Sequence, residues 1–310
     1  MTAGDAASGL PTRFQIWGAR GSRNSIGSRI GNSTSCYSLA VGADLYVFDA
    51  GSGLLPLSAA LTTDDRLGHI KRVHLLVSHS HWDHWEGLKD ADWMWRKGNG
   101  IELTIFGPAE ALKAIHQVCG PPSFVPLDIL ALGTLASLGI EEVSAGTTFQ
   151  LPGASVEALG LHHYSGISPN RCYLDTLGYR LTVDAGPTVA YVCDHEPTAE
   201  TSAMEQQAVS NADLAIVDAS YGDVSEHAFG HGSIESVAQL ARSFPNVQVL
   251  AAHHGALRTD EDIEAAAARH ASDLDGFSLA VEGDRHDWDA DAKRFVLAGS
   301  RLQALAEAGS

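Results

Sequence analysis

The sequence predicts an α/β protein, on two observations. Short apolar runs rich in β-branched residues alternate with alanine-rich stretches of helical period through most of the 310 residues. The composition is that of an ordinary globular chain, 45% hydrophobic and 19% charged, with no repeat or low-complexity segment to suggest a fibrous or disordered class. Strands are expected at 14–17, 45–49, 73–78, 102–106, 156–161, 178–183, 189–193, 214–218, 247–252 and 277–281, where apolar residues run together between polar punctuation. Helices are expected at 109–118, 202–211, 233–243 and 260–271. Ser233 and Thr259 can cap the last two, because a hydroxyl there accepts from orphan N–H groups and acidic residues follow in the first turn. Gly120-Pro121-Pro122-Ser123 reads as an internal loop, since strand patterns occur on both sides.

The length suits one large domain with a generous core. Residues 1–12 are expected to be a loose leader, 13–286 the domain, and 287–310 a C-terminal helical tail. No apolar run approaches the ~20 residues that span a bilayer. Residues 1–11 lack the basic and apolar regions of a secretory signal, so a cytoplasmic protein is expected. Cys36, Cys119, Cys172 and Cys193 are scattered without a C-x-x-C pair, which favours reduced thiols over a disulfide framework. The net charge of −18 repels polyanions and lacks a nucleic-acid binder's basic footprint. A small-molecule substrate fits better, with no long nucleic acid and no membrane; a homodimer is left open.

The chemistry concentrates in His79-Ser80-His81-Trp82-Asp83-His84, entered directly from the run Val73–Val77. Three imidazoles and a carboxylate in six residues are ligands that suit zinc and other borderline divalent metals. By spacing, His79 and His81 can serve one ion while Asp83 and His84 turn toward a neighbour. Further candidates follow other apolar runs: His162-His163 after 156–161, Asp194 after 189–193, and His253-His254 after 247–252. A strand end is where a rigid scaffold presents a side chain. His69, His74, His116, His195, His270 and His286 lack this context and read as surface or core histidines.

The pattern H-x-H-x-D-H followed by a strand-end His, Asp and His resembles the metallo-β-lactamase superfamily. Ile16-Trp17-Gly18-Ala19-Arg20-Gly21-Ser22, Gly31-Asn32-Ser33-Thr34-Ser35-Cys36, Phe48-Asp49-Ala50-Gly51-Ser52-Gly53 and Gly230-His231-Gly232-Ser233 resemble its branch of ribonuclease Z-like and cyclic-phosphodiester hydrolases. Gly178-Tyr179-Arg180, Asp218-Ala219-Ser220-Tyr221 and Ala280-Val281-Glu282-Gly283 extend the resemblance over about residues 13 to 284. It implies a four-layer αβ/βα sandwich with a dinuclear site at one edge. One metal would take His79, His81 and His163, the other Asp83, His84 and His253, with Asp194 bridging and Asp49 orienting a ligand. The ions would be zinc, with manganese or iron as alternatives. The choices between His162 and His163, and between His253 and His254, remain open by one residue.

Two divalent ions sharing a carboxylate lower the pKa of water between them, so hydroxide attack on a phosphodiester is the expected reaction. The resemblance implies Asp83, Asp194 and His231 as catalytic residues, His231 acting on the leaving group. His227 is a weaker neighbour. The stretch Tyr164 to Leu177 departs from the family as an insertion beside the metals, and Tyr164, Ser165, Ser168, Asn170 and Arg171 are candidates to line a pocket. Trp82, Trp85, Trp93 and Trp95 offer an aromatic wall, with core packing the alternative role for at least half. The leading expectation is a hydrolase of a small phosphodiester such as a cyclic nucleotide. A lactone, ester or amide hydrolase of an aromatic or apolar substrate is the alternative. An iron-dependent oxidoreductase is the remaining enzymatic reading, and a metal-binding protein without turnover the non-enzymatic one.

Overall fold

The structure, a computed structural model, describes residues 10–63, 66–127 and 134–303. The chain opens with β1 (Arg13–Gly18), β2 (Cys36–Val41), β3 (Asp44–Phe48), β4 (Arg72–Leu76), β5 (Glu102–Gly107) and β6 (Ser137–Glu142). It continues with β7 (Thr148–Leu151) and β8 (Ala154–Leu161), then a short ribbon of β9 (Tyr164–Ser165) and β10 (Cys172–Tyr173). Next come β11 (Thr176–Val183), β12 (Thr188–Val192), β13 (Leu214–Asp218), β14 (Gln248–Ala252) and β15 (Phe277–Leu279). Finally β16 (Arg285–Asp289) and β17 (Arg294–Gly299) return to the first sheet.

The first sheet runs β17-β16-β1-β2-β3-β4-β5-β6 and the second β15-β14-β13-β12-β11-β8-β7. Each is antiparallel on one side and parallel on the other: β3 to β6 and β12 to β15 are parallel. Parallel strands need covering helices on a face. Leu54–Thr63 and Ala109–Val118 pack on the outside of the first sheet, and Ser202–Val209, Ile234–Ser243 and Asp260–Ala271 on the outside of the second. Between the sheets lies an apolar layer that includes Phe14, Ile16, Tyr37, Phe48, Tyr179, Tyr191 and Ile216. Helices, sheet, sheet and helices make the four-layer αβ/βα sandwich. Ser233 and Thr259 cap their helices as expected, each hydroxyl accepting from the backbone N–H three residues on.

The expected helical tail is corrected between residues 287 and 299, while residues 301–303 are helical. Residues 285–289 and 294–299 are strands, and β16 pairs antiparallel with β1. Trp288 lies opposite Phe295, and the Phe295 ring packs on both Trp288 and Phe14. Pairing also covers the backbone edge that β1 would otherwise expose. The packed domain therefore extends beyond residue 286. The first nine residues of the expected leader and residues 304–310 of the expected tail lie outside the described residues. Phe295 is 1% exposed. Phe295→Ala is expected to cost about 3–5 kcal/mol, as for other buried aromatic deletions. A urea-unfolding midpoint close to that of the parent protein would show that this ribbon is peripheral.

Among the described residues, no helix is long and apolar enough to cross a membrane.

Candidate metal centre

Six strands deliver the site from their C-terminal ends. Asp49 follows β3, Ser78 and His79 follow β4, His163 follows β8, Asp194 follows β12, Asp218 ends β13 and His253 follows β14. Asp49, Asp194 and His253 all have left-handed backbone, with φ of 57°, 59° and 55°. Non-glycine residues rarely adopt that conformation, and its cost is tolerated where the surrounding structure dictates it. Here it turns three side chains off the ends of strands into one buried space.

The carboxylate of Asp194, 1% exposed, divides its two oxygens between two sets of imidazoles. Oδ2 lies 3.4 Å from His79 Nε2 and 3.3 Å from His163 Nε2, and His163 Nε2 lies 3.0 Å from His81 Nδ1. Oδ1 lies 3.3 Å from His84 Nε2 and 3.1 Å from His253 Nε2, each of which is 3.4 Å from Asp83 Oδ2. A tetrahedral shell with bonds of about 2.0–2.1 Å has ligand-to-ligand edges of roughly 3.3 Å. The seven separations, 3.0 to 3.4 Å, are close to that spacing; the ligand atoms of His79, His81, His163 and Asp194 lie within 4.8 Å of one another, as do those of Asp83, His84 and His253. Among the described residues, the buried Nε2 atoms of His79 and His84 have no hydrogen-bond partner. Buried polar atoms are normally satisfied, so these two fit a metal ion.

The electrostatics agree. Burial, helped by His84, drives His79 well below the usual imidazole pKa, and burial lowers His163 to about 4. Both rings are therefore neutral lone-pair donors, the form a metal requires. Burial opposes ionisation of Asp194, but the surrounding imidazoles, His253 and His84 foremost, hold it well below the ordinary carboxylate range. His84 is driven upward despite its burial, because Asp194, Asp83 and Asp49 crowd around it. Three carboxylates about one imidazole call for positive charge.

Each ring is held by its other nitrogen, which orients a ligand and sets its tautomer. His79 Nδ1 lies 3.0 Å from Ser78 Oγ, His84 Nδ1 2.6 Å from Asp49 Oδ2, His163 Nδ1 2.8 Å from the Gly230 carbonyl, and His253 Nδ1 2.9 Å from Ser220 Oγ. His81 is reversed: its Nδ1 faces the centre while Nε2 lies 2.5 Å from Ser165 Oγ. The choices between neighbours resolve geometrically. His253 faces the centre, whereas His254 turns to the Ala280 carbonyl at 3.1 Å, and burial beside Arg20 lowers it to about 3. His163 faces the centre, whereas His162 packs on Tyr173.

Glycine governs one close approach. A Cβ on Gly21 would lie 2.4 Å from His253 Cε1 and Nδ1, so no side chain fits. Gly21→Ala is expected to displace His253 and weaken metal binding by roughly 10–100-fold, the range seen when a ligand loses its orientation. Titration against a chromogenic chelator measures this, and unchanged affinity would separate Gly21 from the centre.

Sequence reasoning passed over Asp218 as a site residue. It is 1% exposed, and its Oδ2 lies 2.8 Å from His231 Nδ1. Its sequence signals were an acid at a strand end, as for Asp194, and its place in the Asp218-Ala219-Ser220-Tyr221 motif, neither of which was read as a site residue. Burial would lower the His231 pKa, but Asp218 and Asp194 outweigh it and raise it to about 9.

A cavity of about 300 Å³ opens over Asp194 and is lined by Trp82, Tyr164, Ser165, Phe229 and His231 among others. Tyr164 and Ser165 reach it from β9, and Ser165 also holds His81. The expectation for Arg171 is corrected: its guanidinium lies 4.3 Å from the Tyr164 ring centre and does not line the cavity. Stacking on an aromatic face gives that cation a partner away from the metals. Of the tryptophans only Trp82, 44% exposed, reaches the cavity. Trp85 and Trp93 are buried in the core beneath the first sheet's helices, and Trp95 packs on Phe124. The second aromatic wall is Phe229, a loop residue with no periodicity to reveal it.

Fold and site together define a hydrolase of the metallo-β-lactamase fold, a class that binds divalent metal. Residues 46–254 match the model of the beta-lactamase superfamily domain, and the chain belongs to that superfamily. No curated protein matches this chain at the level of sequence. Among solved structures it is similar to the metallo-beta-lactamase fold protein YhfI from Bacillus subtilis, with 18% identity, TM-score 0.61, and 89% of this chain and 98% of that one covered. It is similar to a diphosphatase from the PhnP family, with 15% identity, TM-score 0.62, and 90% and 98% covered. Unliganded yeast PDE1 shares 15% identity, with TM-score 0.63, and 89% and 99% covered. At these identities the likeness is one of fold.

Proposed function

We propose that this protein is a dinuclear zinc hydrolase of small phosphodiesters. The observation that carries the reading is Asp194, whose two oxygens face two separate sets of imidazoles. His79, His81 and His163 would hold one ion and Asp83, His84 and His253 the other, with Asp194 shared. Bound there, two divalent ions supply Lewis-acid stabilisation of phosphoryl charge and a nucleophile at neutral pH.

The chain's own residues do the rest. Asp218 accepts from His231 Nδ1–H and so fixes the ring with Nε2 free, placed to give a proton to a departing oxygen. Asp83 and Asp194 keep their negative charge in a buried setting, and the cavity size suits a small ligand. The acidic balance, 38 Asp and Glu against 20 Lys and Arg, disfavours a long polyanion. A diphosphatase and yeast PDE1 among the structural neighbours agree with phosphorus chemistry.

The test is turnover of bis(p-nitrophenyl) phosphate by zinc-loaded protein, abolished by chelation. Turnover of lactones, carboxylic esters or amides with none of any phosphodiester would replace this reading by the second one, which the exposed Trp82 and Phe229 favour. His231→Gln is expected to lower kcat by about 10²–10⁴-fold with both metals retained, the usual contribution of a positioned acid. Metal loss in that variant would make His231 a ligand instead.

A further inference from the structure

We propose that the substrate is elongated and carries an anionic group remote from the bond that is cleaved, held by Arg23. This deepens the metallohydrolase reading and rests on it. The cavity over Asp194 adjoins a second of about 330 Å³, and Ser22, Phe229 and His231 line both. A molecule that reacts beside Asp194 and outgrows the first compartment can extend past Phe229 into the second. Tyr221 and Leu257 give that second compartment apolar walls, and the exposed Arg23 also lines it. Phe229 is 49% exposed with φ of 56°, an aromatic ring kept in water on unfavourable backbone. A ring or alkyl segment of the substrate would cover it.

Charge singles out Arg23. Arg20 is paired with Asp260 at 2.9 Å, Arg29 with Glu264 at 3.2 Å and Arg258 with Glu226 at 2.6 Å. Among the described residues the Arg23 side chain has neither ion pair nor hydrogen bond. In a chain of net charge −18, the one guanidinium of this rim without a carboxylate stands beside the cleft. Guanidinium pairs geometrically with carboxylate or phosphate, so the remote group is one of these.

The experiment compares 4-(carboxymethyl)phenyl p-nitrophenyl phosphate with its methyl ester on zinc-loaded protein. The parent protein is expected to favour the carboxylate at least tenfold in kcat/KM. Arg23→Ala should bring that ratio near one, and Arg23→Lys should keep part of it. A ratio near one in the parent, or the same ratio in Arg23→Ala, overturns the inference while leaving the hydrolase reading intact. If neither compound is cleaved, the phosphodiesterase reading fails, and calorimetric binding of 4-(carboxymethyl)phenylphosphonate decides the inference. Binding at least tenfold weaker in Arg23→Ala supports it; equal affinities, or no binding to the parent, overturn it.

Discussion

Asp194→Ala is expected to abolish turnover and release metal, the largest effect of any single substitution in this protein. The side chain would be lost to both ions at once, since Oδ2 faces His79 and His163 while Oδ1 faces His84 and His253. Losing several kcal/mol of charge stabilisation corresponds to roughly 10³–10⁴-fold in rate. Elemental analysis of the purified variant and its rate on bis(p-nitrophenyl) phosphate measure both parts. Stability supplies an independent check. A ligand that binds only the folded state stabilises it by mass action, so chelation should lower the Tm of the parent and scarcely move that of the variant. A variant that keeps two ions and near-parental turnover would remove Asp194 from its proposed place.

Asp49→Ala is expected to have the second largest effect, acting on stability and metal binding together. Its carboxylate is fully buried and accepts from the Ser78 N–H at 2.7 Å, the Ser78 hydroxyl at 2.8 Å and the Tyr191 hydroxyl at 2.6 Å, while facing His84 Nδ1 at 2.6 Å. Tyr191 comes from the second sheet, so this one side chain ties the two sheets together above the metal centre. Removing one partner from a buried network strands the others, at about 3–5 kcal/mol when a charge is involved. Asp49→Asn keeps the volume and some of the hydrogen bonds. It should fold better than the alanine variant yet bind metal roughly 10–100-fold more weakly, because His84 loses the acceptor that orients it. Denaturant unfolding of metal-free protein separates the two costs, and full metal affinity in Asp49→Asn would show that His84 orients itself.

Much of the parallel half of each sheet was legible because most of its strands are short apolar runs bounded by polar residues. Other elements were not. Leu54–Thr63 was passed over because its sequence is apolar nearly all round and carries a proline in its first turn. A helix buried against a sheet need not show an amphipathic period, and proline is tolerated at a helix start. β16 and β17 were misread because their alternation is weak; Trp288 and Phe295 become partners only when β1 supplies the surface on which they pack.

By itself the sequence picked out the side chains that the fold gathers into one buried cluster. His79, His81, Asp83 and His84 are local, and His163, Asp194 and His253 are each announced by the apolar run that precedes them. Tertiary structure alone decided how those groups share space: which oxygen of Asp194 faces which rings, that His253 rather than His254 turns inward, that Asp218 backs His231, and that Phe229 rather than most of the tryptophans walls the cavity. Strand pattern is a property of neighbours in the chain, whereas each of these contacts joins residues separated along it. Their positions follow from how two twisted sheets pack, which no local window of sequence contains.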